Sequence, residues 1–153
     1  MSEATLAETA GEELGGMRTV RLRIPARAEY VALARLALSG LAEIASLPDD
    51  VVADLKLALT EAVSNSVRHA YAGGVGFVSV AYELTAGSLA IEVVDDGPGF
   101  DPARPPAIEG EELTEGGLGI AIIRTIADEF EIRSRPGVRG SRLRFVKLLQ
   151  PTA

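Results

Sequence analysis

The stretch from Pro48 to Tyr71 constrains the fold more than any other part of this chain. Val51, Leu55, Ala58, Leu59, Ala62 and Val67 recur at helical intervals, so they line one face of an α-helix. Pro48 is tolerated in a first helical turn, and Asp49 and Asp50 then face the positive end of the helix dipole. Gly73-Gly74 ends the pattern. Inside it, Glu61, Asn65 and His69 stand four apart. Each such step rotates the side-chain direction by only about 40°, so the three form one slightly skewed polar stripe. The apolar face must be buried, which sets that stripe at the margin of a core.

Composition narrows the setting. The chain has 153 residues, 47% hydrophobic and 24% charged, which suits one globular domain with a real core. Its net charge of -7 argues against nucleic acid or an anionic membrane as main partner, since both call for clustered Lys and Arg. With no cysteine, disulfides and thiolate metal sites are excluded. No apolar run approaches the ~20 residues that span a bilayer. The opening MSEATLAETAGEELGG lacks the basic start and apolar block of a signal peptide. We expect a flexible tail over 1–16, a single domain over 17–150 and a cytoplasmic protein.

The remaining elements follow from periodicity. Thr19–Ile24 alternates as a half-buried strand stopped by Pro25, and Ala28–Leu47 repeats as an amphipathic helix. Strands at about Gly76–Leu84 and Leu89–Val94 form a hairpin around Ala86-Gly87-Ser88. Phe100–Glu115 has three prolines and four glutamates without periodicity, which marks a lid, binding loop or disorder. A helix from about Leu118 to Phe130 follows, then strands Glu131–Arg135 and Arg142–Leu148 around Pro136-Gly137. This order predicts an α/β (α+β) two-layer sandwich, a mostly antiparallel mixed sheet with helices on one face.

Three segments carry chemistry. In the helical stripe, the Asn65 carbonyl is a hard oxygen suited to Mg²⁺, and Glu61 could deprotonate a nucleophile attacking a γ-phosphate. An ordinary solvated face is an equally good account of that stripe taken alone, and His69 reads better as a helix-end residue than as a catalyst. In DDGPGF, Gly97 and Gly99 permit close backbone approach to a ligand, while Asp95 could accept from an adenine amino group. A calcium loop is the competing reading of that segment, but Pro98 and Phe100 are not ligands. In GGLG, glycines at a helix start expose amide groups to an anion. No Gly-Lys-Ser/Thr follows, so it is not a Walker loop, and no strand precedes it as a dinucleotide fingerprint requires.

The ordered set E-x-x-x-N-x-x-x-H, D-x-G-x-G-F, a lid and G-G-L-G resembles the N, G1 and G2 boxes of the GHKL ATP-binding superfamily, which uses the Bergerat fold. The wording is most similar to the bacterial anti-sigma-factor serine/threonine kinases, from about residue 18 to residue 148. EAVSNSVRHAY and EGGLGIAIIRTIADEF carry it most specifically. The resemblance implies Asn65 as Mg²⁺ ligand, Glu61 as catalytic base and Asp95 as adenine reader. It places Gly97 and Gly99 beside the base, and Gly117, Leu118 and Gly119 at the phosphates, under an ATP lid at about 100–116. It further implies a sigma factor and an anti-sigma-factor antagonist as partners, and a homodimer.

Two features stand apart from that pattern. The lid carries Asp101, Glu109, Glu111, Glu112 and Glu115 against Arg104 alone, and either Arg104 or Arg68 could serve the γ-phosphate. The acidic lid keeps an ATP-binding interaction module with little or no kinase activity as the alternative. A histidine kinase fits poorly, because the single histidine, His69, lies in the stripe itself. A gyrase-like or chaperone-like ATPase needs a coupling domain, for which 153 residues leave no room.

Overall fold

In the computed structural model, residues 16–72, 76–96, 115–134 and 140–149 are described. The expected tail up to residue 15, the Gly73-Gly74 stop, residues 100–114 of the expected lid and the turn at Pro136-Gly137 lie outside them.

Strand β1 (Arg18–Pro25) leads through a single 3₁₀ turn (Ala28–Tyr30) into helix α1 (Val31–Ala45). Ser46 closes α1 in the left-handed region at φ 54°, and the Leu47 amide reaches back to the Ala42 carbonyl at 3.0 Å. That six-to-one bond is a Schellman cap, and it turns the chain sharply into helix α2 (Asp49–Ala72). Asp49 and Asp50 occupy its first turn, and the Pro48 carbonyl accepts from the Val52 amide at 3.0 Å. Strands β2 (Phe77–Leu84) and β3 (Ser88–Asp95) form the expected hairpin. Its turn is held by the Thr85 hydroxyl, which accepts from the Gly87 and Ser88 amides at 3.2 and 3.1 Å, the local chemistry by which a short polar side chain stabilises a turn.

Helix α3 spans Glu115–Ile126, so Glu115 and Gly116 belong to a helix rather than to the expected lid. It also stops four residues earlier than the Ile122, Ile126 and Phe130 spacing suggests. The Asp128 amide donates to the Val146 carbonyl at 2.8 Å, and the Asp128 carboxylate accepts from the Leu148 amide at 2.7 Å. Those bonds turn the chain into strand β4 (Glu129–Ser134), where Phe130 pairs opposite Phe145. Strand β5 (Ser141–Leu148) completes one five-stranded sheet of order β1-β2-β3-β5-β4, antiparallel at every pairing among the described strands.

The three helices cover one face. Leu55, Ala58, Leu59, Ala62 and Val63 of α2 are buried in a single core with Val78, Val80, Leu89, Ile91, Val93 and Phe145 of the sheet. The other sheet face is charged, with Arg144 on Glu83 at 3.0 Å and Arg142 on Glu92. No described helix is long and apolar enough to cross a membrane.

Tyr82 joins the two layers. Its fully buried hydroxyl donates to the Ala34 carbonyl of α1 at 2.7 Å, and burial pushes its pKa well above the usual tyrosine value. The folded state therefore favours the neutral phenol. That contribution is present below the unfolded pKa of about 10 and is lost as pH rises past it. Tyr82→Phe should cost about 1 kcal/mol at pH 7 and flatten the fall in stability above pH ~10. Urea unfolding of both proteins at neutral and alkaline pH measures the two effects, and equal alkaline slopes would remove Tyr82 as their source.

Candidate functional site

The polar stripe on α2 is not a solvated face. Asn65 is 8% exposed and its neighbour Ser66 is also buried, while Glu61 is half-buried one turn earlier. A buried amide is retained where it has polar partners, and Arg68 Nη2 stands 3.5 Å from Asn65 Oδ1, a long contact. Arg68 is thus the one of the two candidate cations that the described residues place beside the stripe; Arg104 lies outside them. His69 follows on α2, its side chain outside the description.

Helix α3 closes on Glu61 from the side. A Cβ built on Gly119 would lie 2.7 Å from Glu61 Oε1, so the absence of a side chain lets the carboxylate rest against the N-terminal half of α3. Negative charge is favourable at that end of a helix. Gly117 lies in the first turn of α3, and Leu118 is 50% exposed beside it.

Asp95 ends β3 and is 3% exposed. Ser141 Oγ donates to Asp95 Oδ2 at 2.7 Å across the β3–β5 pairing, where the two residues face each other in register. Just before Ser141, Gly140 adopts φ +105°, and a Cβ there would stand 2.3 Å from the Asp95 carbonyl oxygen. Only glycine takes that backbone angle without strain and leaves room for the carbonyl. Gly97 and Gly99 lie outside the described residues.

Topology sets these two groups at one end of the molecule. The C-terminal end of α2 feeds β2, whose Val78 pairs with Asp95. Asn65, seven residues before Ala72, lies on the order of 10 Å from that helix end at 1.5 Å per residue. Glu61 packs against Gly119 with Asn65 one turn along α2, and Asp95 is held by the Gly140-Ser141 step. Sequence reasoning missed Gly140, Ser141 and the part Gly119 plays for Glu61. A glycine before a serine at a strand start was the available signal, but the β3–β5 register that gives it meaning is non-local.

Among the described residues, no three or more His, Cys, Asp or Glu side chains gather to hold a metal ion. The donor set is instead one buried amide oxygen one turn from a carboxylate. That set fits Mg²⁺, which keeps several waters and takes phosphate oxygens rather than a full protein cage.

Residues 24–147 match the family described as Histidine kinase-like ATPase domain. This chain belongs to the histidine kinase-like ATPase domain family. Serine-protein kinase RsbW of Staphylococcus aureus is 36% identical over 138 residues, covering 84% of this chain and 87% of the relative. The same protein from strain JH9 is 35% identical over equal coverage. Among solved structures, the RsbU and RsbW domains of Rv1364c from Mycobacterium tuberculosis align with a TM-score of 0.64 at 22% identity, over 88% of this chain and 33% of that longer one. The histidine kinase domain of the Erythrobacter litoralis EL346 blue-light activated histidine kinase aligns with a TM-score of 0.55 at 20% identity, over 82% and 62%. At these identities the structures support the fold, a helix layer on an antiparallel sheet. Family membership implies ATP binding.

Ser141 and Gly140 give separable predictions for that binding. With Asp95 as the base contact proposed below, Ser141→Ala should fold but weaken ATP, because the hydroxyl that orients the Asp95 carboxylate is lost. Gly140→Ala should instead lower stability, by about 1–3 kcal/mol for the forced backbone angle. Calorimetric ATP titration and urea melts of both variants separate the effects; a Ser141→Ala protein with unaltered affinity would detach the hydroxyl from the site.

Proposed function

We propose that this chain is an ATP-dependent serine/threonine protein kinase that acts as an anti-sigma regulatory factor in partner switching. In this reading it sequesters a sigma factor and phosphorylates an anti-sigma-factor antagonist, with both partners and the cytoplasmic setting carried over from the family. The observation that carries it is the Glu61 carboxylate held against Gly119 one turn from the buried Asn65, in a chain 36% identical to a serine-protein kinase over most of both lengths.

The residues divide the reaction between them. Asp95, oriented by Ser141, reads the adenine amino group, with Gly97 and Gly99 beside the base. The N-terminal part of α3, with Gly117, Leu118 and Gly119, faces the phosphates, and the segment before α3 serves as the ATP lid. Glu61 takes the proton of the partner's serine or threonine hydroxyl as its oxygen bonds to the γ-phosphorus, while the bond to the β-phosphate oxygen breaks and ADP leaves. Arg68 stands ready for phosphate charge. Asn65 would hold Mg²⁺, which when bound offsets phosphate charge. Transfer goes to a partner's hydroxyl rather than to an internal histidine, because His69 is the only histidine and belongs to the stripe.

Glu61→Gln should hold ATP within a few-fold of the unaltered protein while slowing transfer by ~10²–10⁴, the usual cost of losing a general base. Gly119→Ala should fold normally yet slow transfer as well, because its Cβ displaces the flexible end of Glu61. Incubation with γ-labelled ATP and a candidate antagonist, followed by assignment of the labelled residue, reads both. Transfer by Glu61→Gln at the original rate would make the carboxylate structural and favour a nucleotide-dependent interaction module.

The adenine assignment has its own test. Guanine presents a carbonyl where adenine carries its amino group, so the Asp95 carboxylate would face an acceptor. GTP would forfeit the charge-assisted hydrogen bond that adenine makes, worth about 1.5–3 kcal/mol, so ATP should outcompete GTP at least tenfold. Competition binding settles the matter, and equal affinities would remove Asp95 from the base pocket.

A further inference from the structure

The stripe on α2 continues outward past Glu61. One turn earlier stands Leu57, 46% exposed, and before it Asp54, also exposed. Spaced three and four residues apart, Asp54, Leu57, Glu61 and Asn65 share one side of the helix. Exposure falls along that line, from Asp54 and Leu57 through half-buried Glu61 to buried Asn65. The carboxylate is therefore open on the Leu57 side and closed on the Asn65 side.

Helix α3 adds a second leucine beside the same carboxylate. Gly119 abuts Glu61 Oε1, and Leu118 immediately before it is 50% exposed. At about 100° per residue, Leu118 and half-buried Ile122 lie on one side of Gly119. The buried Ile120 and Ile123 lie on the other. Scattered singly, exposed leucines are ordinary. These two stand on different helices at the border of one half-buried carboxylate.

Asp54 adds a charge to this border. It lies beyond the first turn of α2, the part where the helix dipole favours an acid. It also follows Asp50 by four residues, a like-charge spacing that weakens a helix. Among the described residues, no ion pair engages it.

A hydroxyl that gives its proton to Glu61 must come within hydrogen-bond reach of the carboxylate. The groups around that hydroxyl then rest on Leu57 and Leu118. An aliphatic side chain there removes itself and both leucines from water, whereas a charged one loses hydration without gaining a partner.

We propose that Leu57, with Leu118, selects the acceptor. The acceptor is a serine or threonine with a large aliphatic residue next to it on the partner's surface and a Lys or Arg beyond. The aliphatic side chain covers the leucines and the basic one meets Asp54. This inference rests on the kinase reading and gives that site its substrate class. The probe is the intact antagonist protein labelled from γ-labelled ATP. Initial rates over its concentration give KM and kcat, calorimetry gives ATP affinity, and melting checks each fold. Leu118 is left in place, because its turn of α3 faces the phosphates. Leu57→Glu should raise KM for the antagonist at least tenfold, with kcat and ATP affinity within a few-fold. Leu57→Met, still apolar and of similar size, should stay within a few-fold throughout. Asp54→Lys should raise KM about threefold or more. Replacing the antagonist's aliphatic neighbour by Asp should raise KM for the unaltered kinase, a result independent of how any kinase variant folds. Unchanged KM in any of these three changes to Asp54, Leu57 or the antagonist, or a labelled hydroxyl among acidic residues, would overturn the proposal. A chain that labels no serine or threonine loses the kinase reading and this inference together. Labelling with a KM indifferent to Leu57 removes this inference alone.

Discussion

A carboxylate buried at the end of an apolar strand sets the terms for this molecule. Removing a charge from water costs several kcal/mol unless hydrogen bonds replace the lost hydration. Asp95 sits in that position, at the end of β3 on the same buried face as Ile91 and Val93. Meeting the cost takes a donor from a different strand, and Ser141 supplies it from β5. The donor arrives only because the chain before it passes flush against the Asp95 carbonyl, a path open at Gly140 and closed to a residue with a side chain. The strand order, with β5 rather than β4 beside β3, is therefore bound to the site as well as to the core.

Helix α2 shows the same economy from the other layer. Its apolar residues anchor it across β2 and β3, and the rotation that buries Leu55, Leu59 and Ala62 also turns Asn65 inward. Glu61 remains half-buried, reachable from outside while pinned by α3 at Gly119. The proton-acceptor role proposed for Glu61 needs both properties: a fixed position and access to the hydroxyl it serves. Polar groups facing water on all sides would have the second without the first.

Local signals carried much of this into the sequence. The α2 periodicity, the β2–β3 hairpin and the four-residue spacing of Glu61 and Asn65 depend on neighbours within a few residues, and the structure follows them closely. The end of α3 was misread because Ile122, Ile126 and Phe130 keep a helical interval while Asp128 is committed to backbone groups of β5. The burial of Asn65 and the purpose of Gly140 and Ser141 were hidden for the same reason. Each depends on which distant strand or helix lies alongside, and spacing along the chain does not encode that partner.

Glycine makes the contrast plain, because its meaning lies in what approaches it. At Gly119 a carboxylate from α2 fills the space a methyl group would take, and at Gly140 a backbone carbonyl from β3 does so. Each is explained inside one chain. Gly40 has the same composition and the opposite surroundings: open space, in a helix where alanine would be the stabler choice. Leu36 and Ile44 on either side pay a similar penalty in exposed apolar surface.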